Sequence, residues 1–132
     1  MNVCAISTTS GTNTGPALRS ILCVDDSNEI LLICQTVLEA DGYQVFTAGS
    51  AAAALHLLRT HLIDAVVLDN VMPGMSGIAL AHEIKRVSPE MPVILYSSLE
   101  RPDEAIPVID SYLSKGQGPI ALRKLVRVLL SK

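Results

Sequence analysis

A chain of 132 residues, 49% apolar and 17% charged, is the size of one domain and too apolar to stay unfolded. Its net charge of −3 has the wrong sign for holding nucleic acid by electrostatics, and three Tyr, one Phe and no Trp leave few surfaces for stacking bases. No basic-then-apolar leader opens the sequence and no run of about 18 apolar residues follows, so a cytoplasmic protein with no membrane partner is expected.

Residues 1–17, rich in Ser, Thr, Gly and Asn, read as a mobile tail, and 18–132 as the folded domain. ILCV (21–24) is a short apolar run ending at Asp25-Asp26. A helical pattern follows, with Ile30, Cys34, Val37 and Leu38 on one face, closed by Gly42. YQVFTA (43–48) alternates like a strand. Ser50 can cap the next helix, whose apolar face is Ala51, Ala54, Leu55, Leu58 and Leu62. AVVL (65–68) has no polar face, as expected of a strand buried on both sides. After a Pro/Gly loop, Leu80, Ala81, Ile84 and Val87 mark a third helix, and PVILY (92–96) a fourth strand. SYLS (111–114) is a short fifth strand, and Leu122, Leu125, Val126 and Leu129 mark a closing helix.

Strands alternating with helices predict a parallel sheet covered on both faces. Ligands of such sheets sit at the carboxyl ends of the strands. Asp25, Asp26, Asp69, Ser97 and Lys115 all fall at or just past such ends, so the topology brings them to one edge. Three gathered carboxylates repel one another and call for a hard cation with oxygen ligands, Mg²⁺ above all. Lys115 adds a positive charge suited to a phosphoryl oxygen, and Ser97 a hydroxyl donor. The set describes phosphoryl chemistry, with Asp69 as a nucleophile that forms an acyl phosphate.

Taken together, ILCVDDS, VVLDNVMPGMSG, PVILYSS and SYLSKG resemble the signatures of a bacterial response-regulator receiver domain, over about residues 19–131. The resemblance implies a flavodoxin-like, doubly wound (βα)5 fold with strand order 2-1-3-4-5. It implies that Asp69 accepts a phosphoryl group from a histidine kinase or phosphotransfer protein. Asp26 and Asp69 would bind Mg²⁺ directly, Asp25 through water, and the Val71 carbonyl would complete the ligands. Ser97 would move to bond the phosphoryl group, Tyr112 would turn inward as the switch aromatic, and Lys115 would pair with a phosphoryl oxygen. The chain stops after its closing helix, so a stand-alone switch is expected. It would signal to a downstream protein or pass the phosphoryl group along a relay, with no enzymatic turnover beyond its own phosphorylation and loss of phosphate.

Some features depart from the family pattern. The proline that usually follows the lysine, through a cis bond, is replaced by Gly116, so a looser loop and a less fixed lysine are expected. Only 17 residues separate Ser97 from Lys115, about one helical turn fewer than usual, and Pro107 would interrupt a helix through 103–110. The fourth helix should be short, distorted or absent. Val71, and Leu99 two residues past Ser97, are apolar where the family's side chains flank the attacking water, so slow autodephosphorylation is expected.

Simpler roles exist for each residue alone. Asp25-Asp26 could be an N-cap, Asp69 a solvated turn residue, Ser97 a cap, Lys115 a surface lysine and Tyr112 a core filler. His56, His61 and His82 lack ligand spacing and read as surface residues. Arg123, Lys124, Arg127 and Lys132 read as the solvated face of the closing helix. Cys4, Cys23 and Cys34 form no CxxC pair and fit buried or free thiols in a reducing cytosol better than a disulfide framework or zinc site. A degenerate receiver that binds a partner without phosphorylation is the main rival. A dehalogenase-like phosphatase would want a second acid where Val71 stands, and the acidic cluster argues against an anionic cofactor phosphate.

Overall fold

The computed structural model describes residues 18–98 and 108–131. Its elements are β1 (Ser20–Val24), α1 (Asn28–Ala40), β2 (Gln44–Ala48), α2 (Ala51–Thr60), β3 (Ala65–Leu68), α3 (Gly77–Val87), β4 (Val93–Ser97), β5 (Ser111–Ser114) and α4 (Pro119–Leu130). The five strands form one parallel sheet in the order β2-β1-β3-β4-β5. This is the expected doubly wound order, with β1 and β3 at the centre.

The sheet divides the core by strand alternation. Leu22, Val24, Val66, Leu68, Val93 and Leu95 point to the face covered by α2 and α3, where Ala54, Leu80, Ala81 and Ile84 meet them. Ile21, Cys23, Ala65, Val67, Ile94 and Tyr96 point to the other face, under Leu31, Cys34 and Leu38 of α1 and Leu122 and Val126 of α4. Both faces of AVVL are therefore covered, which is why it carries no polar residue. β2 lies at the sheet edge and stays half-exposed.

Each helix starts on a side-chain cap where the sequence allows one. Ser27, Ser50 and Ser76 accept from the backbone N–H groups of Ile30, Ala53 and Ala79. α4 starts instead with Pro119 in its first turn, after Gly118 at φ 86°. Gly42, at φ 95°, turns the chain out of α1.

Three details differ from the sequence reading. α2 ends at Thr60, so Leu62 lies beyond it and is 92% exposed rather than part of its apolar face. Val87 closes α3 and is exposed; together with Leu62 it lines the rim of a groove between α2 and α3. On α1, Leu31 is buried while Ile30 is only half-buried. The tail and most of the expected fourth-helix region, including Leu99 and Pro107, lie outside the described residues. The chain re-enters with Val108 and Ile109 buried against the α2–α3 side of the core. Asp110 then accepts from the Val93 N–H at 2.7 Å and pairs with Lys85 at 2.7 Å, which fixes the approach to β5.

Candidate functional site

Parallel pairing continues one residue past the strand ends. The Asp25 N–H donates to the Ala48 carbonyl at 3.1 Å, and the Asp69 N–H to the Val24 carbonyl at 2.9 Å. This extra rung places the first residue after β1 and the first after β3 side by side. It explains why an apolar run ends in a carboxylate at both places: the last hydrogen-bonded position of each central strand is also the first that faces the sheet edge.

Asp25 is buried and spans two contacts. One oxygen accepts from the Ser27 N–H at 3.0 Å, and the other from Lys115 Nζ at 2.7 Å. Neither Asp25 nor Asp26 caps α1, because Ser27 does; Asp25 instead braces the cap from behind. Asp26 is exposed. Asp69 is 6% exposed, and its Oδ1 lies 3.3 Å from Lys115 Nζ. Each of the three aspartates can offer one oxygen within 4.8 Å of the other two.

The electrostatics follow from this crowding. Burial first, and then the neighbouring Asp25 charge, push the Asp69 carboxyl above the usual carboxylate range; Lys115 pulls the other way without cancelling them. Burial works against the Lys115 charge, but its hydrogen bond and charge contacts with Asp25 and Asp69 outweigh this and raise its pKa. Three carboxylates facing one ammonium leave an excess of negative charge in a closely spaced set of hard oxygen donors. That donor set fits Mg²⁺, and Asp25, Asp26 and Asp69 are the side chains that would hold it.

Lys115 reaches the cluster from the turn after β5. Lys115–Gln117 form a short 3₁₀ turn in which Ser114 Oγ accepts from the Gly116 N–H, and the Gly118 N–H donates to the Lys115 carbonyl. No peptide bond among the described residues is cis. The lysine thus has a local hydrogen-bonded base and two carboxylate partners despite lacking a following proline.

Ser97 is buried at the end of β4 and pairs in register with Ser114. Tyr112 lies opposite Leu95 on β5, half-buried against the α2–α3 side of the core. Val71 stands two residues after Asp69 in the loop and is 56% exposed. Asp25, Asp26, Asp69 and Lys115 are therefore brought together directly, and Ser97 and Tyr112 stand on β4 and β5.

The sequence reading gave no role to Gly77 or Asn70. The Gly77 N–H donates to the Asn70 carbonyl at 2.9 Å, and the Asn70 side chain accepts from the Ile78 N–H at 3.4 Å. A Cβ at Gly77 would overlap the Asp69 carbonyl oxygen and approach the Asn70 Cα to 2.9 Å. The start of α3 is packed directly on the backbone that carries Asp69. The only trace of this in the sequence is a second glycine where a turn already has one.

Comparison with known proteins agrees with this geometry. A response regulator from Staphylococcus aureus, SaeR, is 34% identical over 119 residues, 87% of this chain and 52% of that protein. A probable transcriptional regulator, ycf27, from Cyanidium caldarium is 34% identical over 85% of this chain and 46% of its own length. The chain thus spans about half the length of these curated relatives. Among solved structures, the response regulator TrrA from Thermotoga maritima, in complex with Mg²⁺ and BeF, superposes with a TM-score of 0.81 at 31% identity, covering 86% of this chain and 100% of that one. A CheY-like receiver domain from Methanospirillum hungatei gives 0.82 at 25% identity, covering 87% and 95%. The family model of the response regulator receiver domain matches residues 21–127, which include every residue of the acidic cluster and Lys115, and the chain belongs to that family of signalling modules.

Proposed function

We propose that this chain is a phosphorylation-dependent switch in which Asp69 takes a phosphoryl group from a histidine kinase or a phosphotransfer protein. The observation that carries the reading is the setting of Asp69: a buried carboxylate at the end of a central strand, beside a lysine, with two more aspartates at hand.

A carboxylate oxygen of Asp69 attacks phosphorus, the bond from phosphorus to the donor breaks, and the donor leaves with that electron pair. Burial limits hydration of the nucleophile, and the raised pKa marks an anion that gains from nearby positive charge. Lys115, already 3.3 Å from Asp69, is placed to neutralise a phosphoryl oxygen. Mg²⁺, held by Asp25, Asp26, Asp69 and the Val71 carbonyl, would supply further neutralisation of the transferring group. Pairing of Lys115 with the new dianion would loosen its 2.7 Å contact with Asp25. Ser97, approaching the phosphoryl group, and Tyr112, repacking beside it on β5, would carry the change to a partner protein.

Val71, two residues past the acceptor, carries an apolar side chain with no group that could orient water. The acyl phosphate should therefore persist for minutes or longer, and a half-life of seconds in Mg²⁺ buffer would count against that role for Val71.

The deciding test is intact-mass spectrometry after incubation with Mg²⁺ and acetyl phosphate. One added phosphoryl group in the native chain and none in Asp69→Asn is the expected result. An equal gain in both would place the acceptor elsewhere. No gain, with partner binding unaffected by Asp69→Ala, would leave a module that binds without phosphorylation.

A further inference from the structure

Leu62 and Val87 are 92% and 69% exposed, and the chemistry above uses neither. They border a groove of about 270 Å³ between the ends of α2 and α3, lined also by Leu58, Ile63, Ile84 and Met91. Its charged groups are few: Arg59 is exposed, and Glu83 already pairs with Arg86 at 2.9 Å. An apolar groove with two large apolar side chains in solvent at its rim gains by being covered. A second hollow, lined by Leu18, Arg19 and Phe46, shares His61 and Leu62 with this groove. Leu18 is the first described residue. Leu62 therefore stands between the groove and the point where residues 1–17 join the domain.

The composition of those 17 residues suits the groove. They carry no charged side chain, and their large apolar residues gather at the far end, in Met1, Val3 and Ile6, with Cys4 and Ala5 between. Residues 7–15 are only Ser, Thr, Gly and Asn, which have little to gain from an apolar wall. The eleven residues from 7 to 17 can span up to about 36 Å. The ten residues of α2, whose last turns wall the groove, cover about 15 Å. The spacer is thus more than long enough to bring the apolar end onto the groove.

We propose that the groove between α2 and α3 is the docking site of the chain's own segment 1–6, with Val3 and Ile6 as its apolar anchors. A tether of this kind holds the segment at an effective concentration of the order of 1 mM, so an intrinsic Kd of about 0.1 mM fills the groove about nine-tenths of the time. Docking covers Leu62 and Val87, and another protein that used this face would have to displace the segment first.

Cys4 reports on the docking, because it lies between the two anchors while Cys23 and Cys34 are buried. The full chain is treated with N-ethylmaleimide under native conditions, and labelling of the Cys4 peptide is followed by mass spectrometry. Leu62→Ser combined with Val87→Ser, both at exposed positions, should speed Cys4 labelling about 10-fold, the ratio of filled to empty groove. Val3→Ser combined with Ile6→Ser, which leaves the described domain untouched, should speed it as much. Val128→Ser, at an exposed position on α4, should label at the native rate. Equal rates in the native chain and in both double variants would overturn the proposal. Release by the Val3 and Ile6 pair but not by the Leu62 and Val87 pair would also overturn it, since the segment would then dock elsewhere. So would protection that rises with protein concentration, which would put a second copy in the groove. The readout does not involve Asp69, so it stands apart from the phosphorylation test.

Discussion

Asp69 sits where its charge is least comfortable in the metal-free protein, and stability should show it. Its pKa is raised in the fold, so the unfolded chain loses this proton first as pH rises. Below the unfolded value, near pH 4, both states hold the proton and there is no cost. Stability then falls as pH climbs from there through the raised folded value, and stays lower above it. Asp69→Asn should flatten this part of the pH profile and melt no lower than the native chain at pH 7 without Mg²⁺. A variant that melts lower, with the native slope intact, would mean that the Lys115 contact outweighs burial. Gly77 is the second residue-scale case. Gly77→Ala forces a methyl group into the backbone of Asp69 and Asn70, which must shift. A loss of about 1–3 kcal/mol in urea unfolding is expected, with slower phosphorylation of Asp69. The acidic cluster was legible because strand ends converge by topology alone. Gly77 was not, because a glycine needed for close approach looks like any turn glycine until the neighbouring backbone is placed.

At the scale of elements, periodicity located the strands and helices but not their ends. AVVL could be read as doubly covered because nothing polar interrupts it, and the structure puts helices on both its faces. Leu62 misled because it continues the α2 spacing by one more turn, while the helix stops at Thr60 and leaves it in solvent. Apolar spacing says which face a residue would take if the helix went on, not whether it does. Asp110 shows the reverse, a polar residue that fixes an element from outside. Its carboxylate satisfies the Val93 N–H at the start of β4 and the Lys85 ammonium at the end of α3. Asp110→Ala takes the carboxylate from the Val93 N–H and leaves Lys85 with its bond to the Met91 carbonyl alone. It should lower the urea midpoint by the equivalent of about 1–2 kcal/mol with an unchanged slope. A changed slope would mean that the segment before β5 had come loose.

For the whole molecule, the order of strands turns separate sequence signals into one site. Only a parallel sheet with β1 beside β3 sets Asp25 next to Asp69, and only β5 at the far edge delivers Lys115 across to them. The fold thus gathers three carboxylates around one lysine, and a cation bound there should register in the whole domain. A ligand that binds only the folded state stabilises it by about 2.7 kcal/mol at 100 times its Kd, which for a domain of this size raises Tm by several degrees. Mg²⁺ should therefore raise Tm in calorimetry beyond what NaCl of equal ionic strength does. Asp26→Ala should lose most of that increment while melting close to the native chain without metal, since Asp26 is exposed. Leu62→Ala, a substitution at an exposed position far from the cluster, should keep it whole. If Mg²⁺ and NaCl act alike on the native chain, the three carboxylates do not form a metal site, and Lys115 alone balances them.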